Sequence, residues 1–163
     1  MRSSLILILL DIRSLHNVGA IFRTADAMGV KKIYLAGYTP GPYDLFGKLR
    51  KDFAKTALGA EKFVPWEKTK NAGALIKKLK SEKVFIASLE QSKNSVPLSN
   101  QIAKSWIALV LGNEVHGIPK NILRKSDAVL EIPMFGKKES LNVSVAAGIA
   151  LYALSQIKKS RDL

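Results

Sequence analysis

Cysteine is absent from the 163 residues, and histidine occurs only twice. The first absence excludes disulfides, thiolate nucleophiles and cysteine-ligated zinc. The second leaves His16 and His116, far apart in the chain and without metal-ligand spacing, so no metal is expected. Acidic residues are scarce too: 13 against 26 Lys and Arg, a formal charge of +13 and a pI near 10.0. A surplus that large exceeds what solubility requires and points to a polyanionic partner, the alternative being a uniformly basic surface. Long hydrophobic runs are missing as well. The run Leu5 to Leu10 is stopped by Asp11, with Arg13 close behind and no small-residue cleavage site. It therefore fails as a signal peptide and as a membrane span, and reads as a buried strand of a cytoplasmic protein. No G-x-G-x-x-G follows that strand and no Walker lysine follows Gly112, so dinucleotide and phosphate-loop readings have little support.

What is present is a chain 47% hydrophobic, long enough for one compact domain and short for two. The expectation is a single domain over residues 1–163 with no separate N-terminal domain. Apolar runs at 5–10, 32–36, 83–88, 106–111 and 128–132 read as strands, with a further strand ending at Val64. Helical spacing predicts helices over 18–28 and 67–80, a short one starting near Pro119, and an all-round apolar helix entered at Ser140 or Asn142 and running to Ile157. Strands without alternation that are separated by helices predict an open, mostly parallel α/β sheet with helices on both faces. A helix without a polar stripe is buried on both sides, so the last one is expected between its own sheet and a second subunit.

Three polar and glycine-bearing segments fall at predicted carboxyl ends of strands, where open α/β sheets bind ligands. The first runs from Asp11 through His16, Asn17 and Gly19 to Arg23-Thr24-Ala25, the second is Gly112-Asn113-Glu114-Val115-His116-Gly117, and the third runs from Ile132-Pro-Met134 through Gly136 to Ser140-Leu141-Asn142-Val-Ser144. The third offers free backbone groups beside a helix start, a cradle for a small polar ligand. Lys48, Arg50, Lys51 and Lys55 form a basic cluster interleaved with Phe46 and Phe53. Lysines can neutralise phosphates while exposed rings stack on unpaired bases, and the competing reading makes the two rings core anchors, more so Phe53.

In this order and spacing, D-x-x-x-x-H-N-x-G-x-x-x-R-T-A, G-N-E-x-x-G and I-P-M-x-G-x-x-x-S-L-N-V-S-V-A resemble the three motifs of the SpoU/TrmH branch of the SPOUT RNA methyltransferases. The resemblance covers about Leu5 to Ile157. It implies a deep trefoil knot in the C-terminal third, S-adenosylmethionine as methyl donor with S-adenosylhomocysteine as product, and a homodimer with composite active sites. The implied reaction is methylation of a ribose 2′-hydroxyl in RNA. Carried over, the catalytic residues are Asn17, Arg23, Glu114, Ser140 and Asn142. The donor would meet Ser88, Leu89, Leu111, Gly112, Asn113, Gly117, Ile132, Met134, Ser140 and Leu141. RNA would meet His16, Arg23, Lys48, Arg50, Lys51, Lys55, Lys137 and Lys138.

A guanidinium keeps its proton under ordinary conditions, so Arg23 is expected to stabilise a developing alkoxide rather than to act as a base. Two other readings stand beside this one: a base methyltransferase of the same superfamily, and a catalytically silent RNA-binding or ribosome-assembly module. A small unaided dimer suits a compact substrate, which places transfer RNA ahead of ribosomal RNA.

Overall fold

A computed structural model describes residues 4–98, 102 and 104–156. In chain order the elements are β1 (Ser4–Leu10), α1 (Leu15–Ala27), β2 (Lys32–Ala36), α2 (Lys51–Ala57), a 3-10 turn (Ala60–Lys62), β3 (Trp66–Thr69), α3 (Ala72–Ser81), β4 (Phe85–Leu89), β5 (Val96–Pro97), β6 (Trp106–Leu111), α4 (Lys120–Leu123), β7 (Ala128–Glu131) and α5 (Val143–Gln156). The strands form one sheet in the order β3-β2-β1-β6-β4-β7-β5, and every described pairing is parallel. All seven carboxyl ends thus lie along one edge, and the expected α/β class is the one observed.

The unbroken apolar run of β1 has a direct cause. Leu5, Leu7 and Leu9 pack into a core with Val18, Ile21 and Phe22 of α1 and Ala147, Leu151 and Leu154 of α5. Ile6, Ile8 and Leu10 pack into the opposite core with Leu75, Ile76 and Leu79 of α3 and Ile122 of α4. A strand covered on both faces has no solvent side to mark with polar residues. On the first face Phe22 and Phe53 meet edge to face, 5.2 Å between centroids, so Phe53 is a core anchor. Gly19 lets α1 and α2 touch: a Cβ there would meet Thr56 Oγ1 and lie 2.5 Å from the Phe53 carbonyl oxygen.

Several boundaries differ from the sequence expectation. Helix α1 starts at Leu15, ahead of Val18, because Ser14 caps it by accepting from the Asn17 backbone N–H at 3.2 Å. The strand expected to end at Val64 is instead the 3-10 turn, and the third strand is Trp66–Thr69. The helix expected from Glu67 begins only at Ala72, where Asn71 accepts from Ala74 N–H at 2.9 Å. Glu67 belongs to the strand and pairs with Lys32 of neighbouring β2 at 2.7 Å. Strand β4 lies at Phe85–Leu89, two residues later than its expected start. Helix α5 starts at Val143, with Asn142 accepting from Ser144 N–H at 2.9 Å; its expected last residue, Ile157, lies outside the described residues.

Candidate active site

A cleft of about 570 Å³ opens at the carboxyl edge between β1, β6, β4 and β7. Its walls are built by the chain leaving each strand. Asn17 comes from the start of α1, Leu89 to Gln91 from the end of β4, Leu111 to Val115 and Gly117 from the turn after β6, and Glu131, Ile132 and Met134 from the end of β7. Ser140, Leu141 and Asn142 close it from the loop before α5, together with Val143 and Ala146 of the helix.

Three segments distant in sequence meet there through a chain of side-chain hydrogen bonds. Asn142 Nδ2 donates to Asn17 Oδ1 at 3.1 Å, and Asn17 Nδ2 donates to Glu114 Oε1 at 3.3 Å. The same carboxylate accepts the backbone N–H groups of Arg13 and Ser14 at 3.1 and 3.2 Å. Burial pushes the Glu114 carboxyl up, yet the backbone N–H groups of Arg13, Glu114 itself and Ser14, with the Asn17 amide, outweigh it and hold the group below its ordinary value of 4.5. An acid held in its charged form by donors is a poor proton acceptor, so Glu114 clamps the turn after β6 to the start of α1.

That turn is locked internally as well. Asn113 is buried; its Oδ1 accepts from the N–H groups of Val115 and His116, and its Nδ2 reaches the Asp11 carbonyl at 2.8 Å and Tyr38 Oη at 3.1 Å. The amide of Asn113 is fully engaged within the fold, and its backbone carbonyl accepts from Gly117 N–H at 2.9 Å. Gly112 needs its missing side chain because a Cβ would lie 2.6 Å from the Gly117 carbonyl carbon; the close approach is made by the turn to itself. Gly117 takes a left-handed φ of 67°, and a Cβ there would strike the Glu90 carboxylate. Glu90 in turn accepts from Ile118 N–H at 2.9 Å, fastening the loop after β4 to the turn after β6.

Of the residues singled out from the sequence, the structure gathers Asn17, Leu89, Leu111, Gly112, Asn113, Glu114, Gly117, Ile132, Met134, Ser140, Leu141 and Asn142 around the cleft. Two of the expected catalytic and donor-binding residues lie elsewhere. Ser88 is fully buried and shares a 2.7 Å hydrogen bond with Ser126 Oγ, away from the cleft. Arg23 is exposed on α1 and does not line the chain's own cleft. His16, Lys48, Lys51, Lys55, Lys137 and Lys138 are exposed, whereas Arg50 is half-buried with Nε donating to the Tyr43 carbonyl at 3.3 Å. Gln91, Val115, Glu131, Val143 and Ala146 also line the cleft, and only their positions at strand ends and the helix start could have signalled it. Among the described residues no cluster of acidic or histidine side chains could hold a metal ion, and no helix is long and apolar enough to cross a membrane.

A parallel α/β sheet with a loop-walled cleft across its carboxyl edge defines a small-ligand-binding domain of the open-sheet class. Comparison with known proteins narrows the class. The SpoU rRNA Methylase family matches residues 4–152. A 23S rRNA (guanosine-2′-O-)-methyltransferase, RlmB, of Neisseria meningitidis serogroup B is 36% identical over 159 residues, 98% of this chain and 60% of that protein. A tRNA (guanosine(18)-2′-O)-methyltransferase of Aquifex aeolicus is 33% identical over 153 residues, covering 94% of this chain and 69% of its own length. Among solved structures, the AdoMet-bound rRNA methyltransferase of Sinorhizobium meliloti superposes with a TM-score of 0.83 at 28% identity, over 94% of this chain and 56% of that one. The chain belongs to the SpoU rRNA methylase family, and it spans 60% of the length of the Neisseria relative.

Proposed function

We propose that this chain transfers a methyl group from S-adenosylmethionine to a ribose 2′-hydroxyl of structured RNA, transfer RNA before ribosomal RNA. The observation that carries the proposal is the Asn142–Asn17–Glu114 hydrogen-bond chain, which joins the three motif segments along one wall of the cleft. The relatives whose names specify a 2′-O-methyltransferase, one for rRNA and one for tRNA, support the reaction class.

The cleft suits the donor. Leu89, Leu111, Ile132, Met134, Leu141 and Val143 give it apolar walls for an adenine, and the loop before α5 adds polar groups for a ribose and an amino acid. When bound, S-adenosylmethionine supplies a methyl group on a sulfonium that leaves readily. The chain's own work is to place the nucleophile in line and exclude water. Ser140 and Asn142 stand at the cleft mouth to orient the ribose, and Asn17 fixes Asn142 from behind. As the oxygen–methyl bond forms and the carbon–sulfur bond breaks, the hydroxyl proton passes to RNA phosphate or water, because Glu114 is committed to its donors.

Arg23 completes the site from a second copy. It lies outside its own cleft, while α5 exposes Val145, Ile149 and Tyr152 along its length, from the cleft end of the helix to the amino edge of the sheet. A homodimer built on α1 and α5 covers that apolar face and brings one copy's Arg23 to the other's cleft, where it neutralises the phosphate and the developing alkoxide. In this proposal residues 1–163 are one domain, and its C-terminal third carries the trefoil knot.

The test is methyl transfer from labelled S-adenosylmethionine to undermodified transfer and ribosomal RNA in parallel, followed by nucleoside mass analysis. A 2′-O-methylnucleoside in the transfer RNA pool is the expected result. A methylated base, or no incorporation although the donor binds, overturns the assignment.

A further inference from the structure

The segment between β2 and α2 presents two large apolar side chains almost wholly to water: Leu45 is 97% and Phe46 94% exposed. It is not a loose loop. Asp44 Oδ1 accepts from the N–H groups of Phe46 and Lys48, both at 2.9 Å, while the Asp44 backbone is bonded to Lys48 and Gly47. Gly47 supplies the left-handed φ of 75° that turns the chain, and an antiparallel bridge joins Tyr43 to Leu49. Below the turn, Arg50 Nε holds the Tyr43 carbonyl at 3.3 Å and the Tyr43 ring stacks on Trp66, 6.4 Å between centroids. The chain thus builds a braced projection in order to keep an aromatic ring out of its core.

We propose that the 43–49 turn is a base-stacking finger, with Phe46 receiving the face of an unpaired base of the bound RNA. This rests on the RNA reading of the preceding subsection and adds that the RNA is single-stranded, or looped, where it crosses the β3 flank of the sheet.

Three observations favour a base over another occupant. Lys48 and Lys51 follow Phe46 within five residues, both exposed and neither with a side-chain hydrogen bond or ion pair among the described residues, on a chain of formal charge +13. Phosphates on either side of a stacked base would meet them. The apolar tip consists of two residues, far short of the roughly 1,200 Å² that a stable protein interface buries, whereas stacking one base needs only one ring. The loop that carries the finger is tied at its start to the turn after β6, where Tyr38 Oη accepts from Asn113 Nδ2 at 3.1 Å, and the finger itself rests through Tyr43 on Trp66, the first residue of the outermost strand β3, so a base stacked on it belongs to RNA crossing that flank of the sheet. A ring held in place before binding loses little freedom on stacking, so its contact is retained in affinity.

The test measures binding of the full chain to an RNA hairpin carrying a fluorescent adenine analogue in its loop, and to a fully paired duplex of the same stem. Phe46→Ala weakens hairpin binding about tenfold, leaves duplex binding and S-adenosylmethionine binding unchanged, and keeps the thermal midpoint of an exposed-site substitution. Phe46→Trp restores hairpin affinity and quenches the analogue, whereas Phe46→Leu does not restore it. Equal hairpin binding by wild type and Phe46→Ala overturns the finger. So does an equal loss on the duplex, or a fall in sedimentation coefficient showing that the ring lies between copies. Wild-type methyl transfer is read separately. Hairpin binding through Phe46 without methyl transfer defeats the enzymatic reading alone, methyl transfer indifferent to Phe46 defeats the finger alone, and failure to bind either RNA defeats both.

Discussion

Asn17 uses both ends of its amide, accepting from Asn142 and donating to Glu114. Neither neighbour can replace it, because each sits on a different segment. Asn17→Ala removes two hydrogen bonds at a partly exposed site, and a net loss of about 1 kcal/mol per bond predicts a fall in methyl transfer of roughly thirtyfold. Donor affinity, measured by calorimetry, stays near wild type because the apolar walls are intact. Asn17→Asp does worse than Ala, since a second carboxylate faces Glu114. The Glu114 carboxyl also gives the fold a pH dependence. Its folded-state pKa lies below the ordinary 4.5, so its contribution is fully present above 4.5 and is lost as pH falls through the depressed value. Urea denaturation of wild type and Glu114→Gln between about pH 6 and pH 3 should show a stability gap that narrows toward the acid end. A gap that widens on acidification contradicts the clamp.

Elements differ in how openly the sequence announces them, and the reason is burial. Strands β1, β2 and β6 are apolar runs because both faces are covered, and their expected bounds lie within a residue of those observed. Strand β3 was hidden because it is a four-residue edge strand whose Glu67 and Lys68 face solvent, and a polar strand beside an amphipathic helix reads as one longer helix. The three motif segments were legible in order and at strand ends. Their mutual contacts were not: Glu90 reaches Ile118 and Asn17 reaches Asn142 across separations that no local periodicity records. Ser88, carried over from the resemblance at the end of an expected strand, turns its side chain inward to Ser126, a direction that the strand pattern does not record. Two substitutions separate the ways elements are held. Gly19→Ala forces a methyl against backbone of α2 and should cost about 1–3 kcal/mol in chemical denaturation. Asn71→Ala removes only the cap of α3 and should cost about 1 kcal/mol, with activity retained.

For the whole molecule, the proposed second copy makes activity and mass change together. Ile149→Glu places a charge on the exposed apolar face of α5, outside the chain's own core and cleft. Sedimentation should show the species halving in mass, with methyl transfer falling at least tenfold as each cleft loses its partner's arginine. A variant that stays the same size, or becomes a fully active monomer, excludes the composite site. Net charge adds a second signature: RNA binding weakens steeply with salt, and Lys48→Ala or Lys51→Ala each lowers the slope by about one unit.

The order of the strands also sets a timetable for synthesis. Strand β1 lies between β2 and β6, and Ser4 pairs with Trp106, roughly a hundred residues downstream. At about 5–20 residues per second, a ribosome emits β1 several seconds before the strand that seals its open side. During that interval one edge of the most apolar strand is bare. The nascent chain therefore offers a chaperone a defined window, which closes when β6 clears the exit tunnel, and parallel pairings of such long reach make the isolated chain a slow refolder.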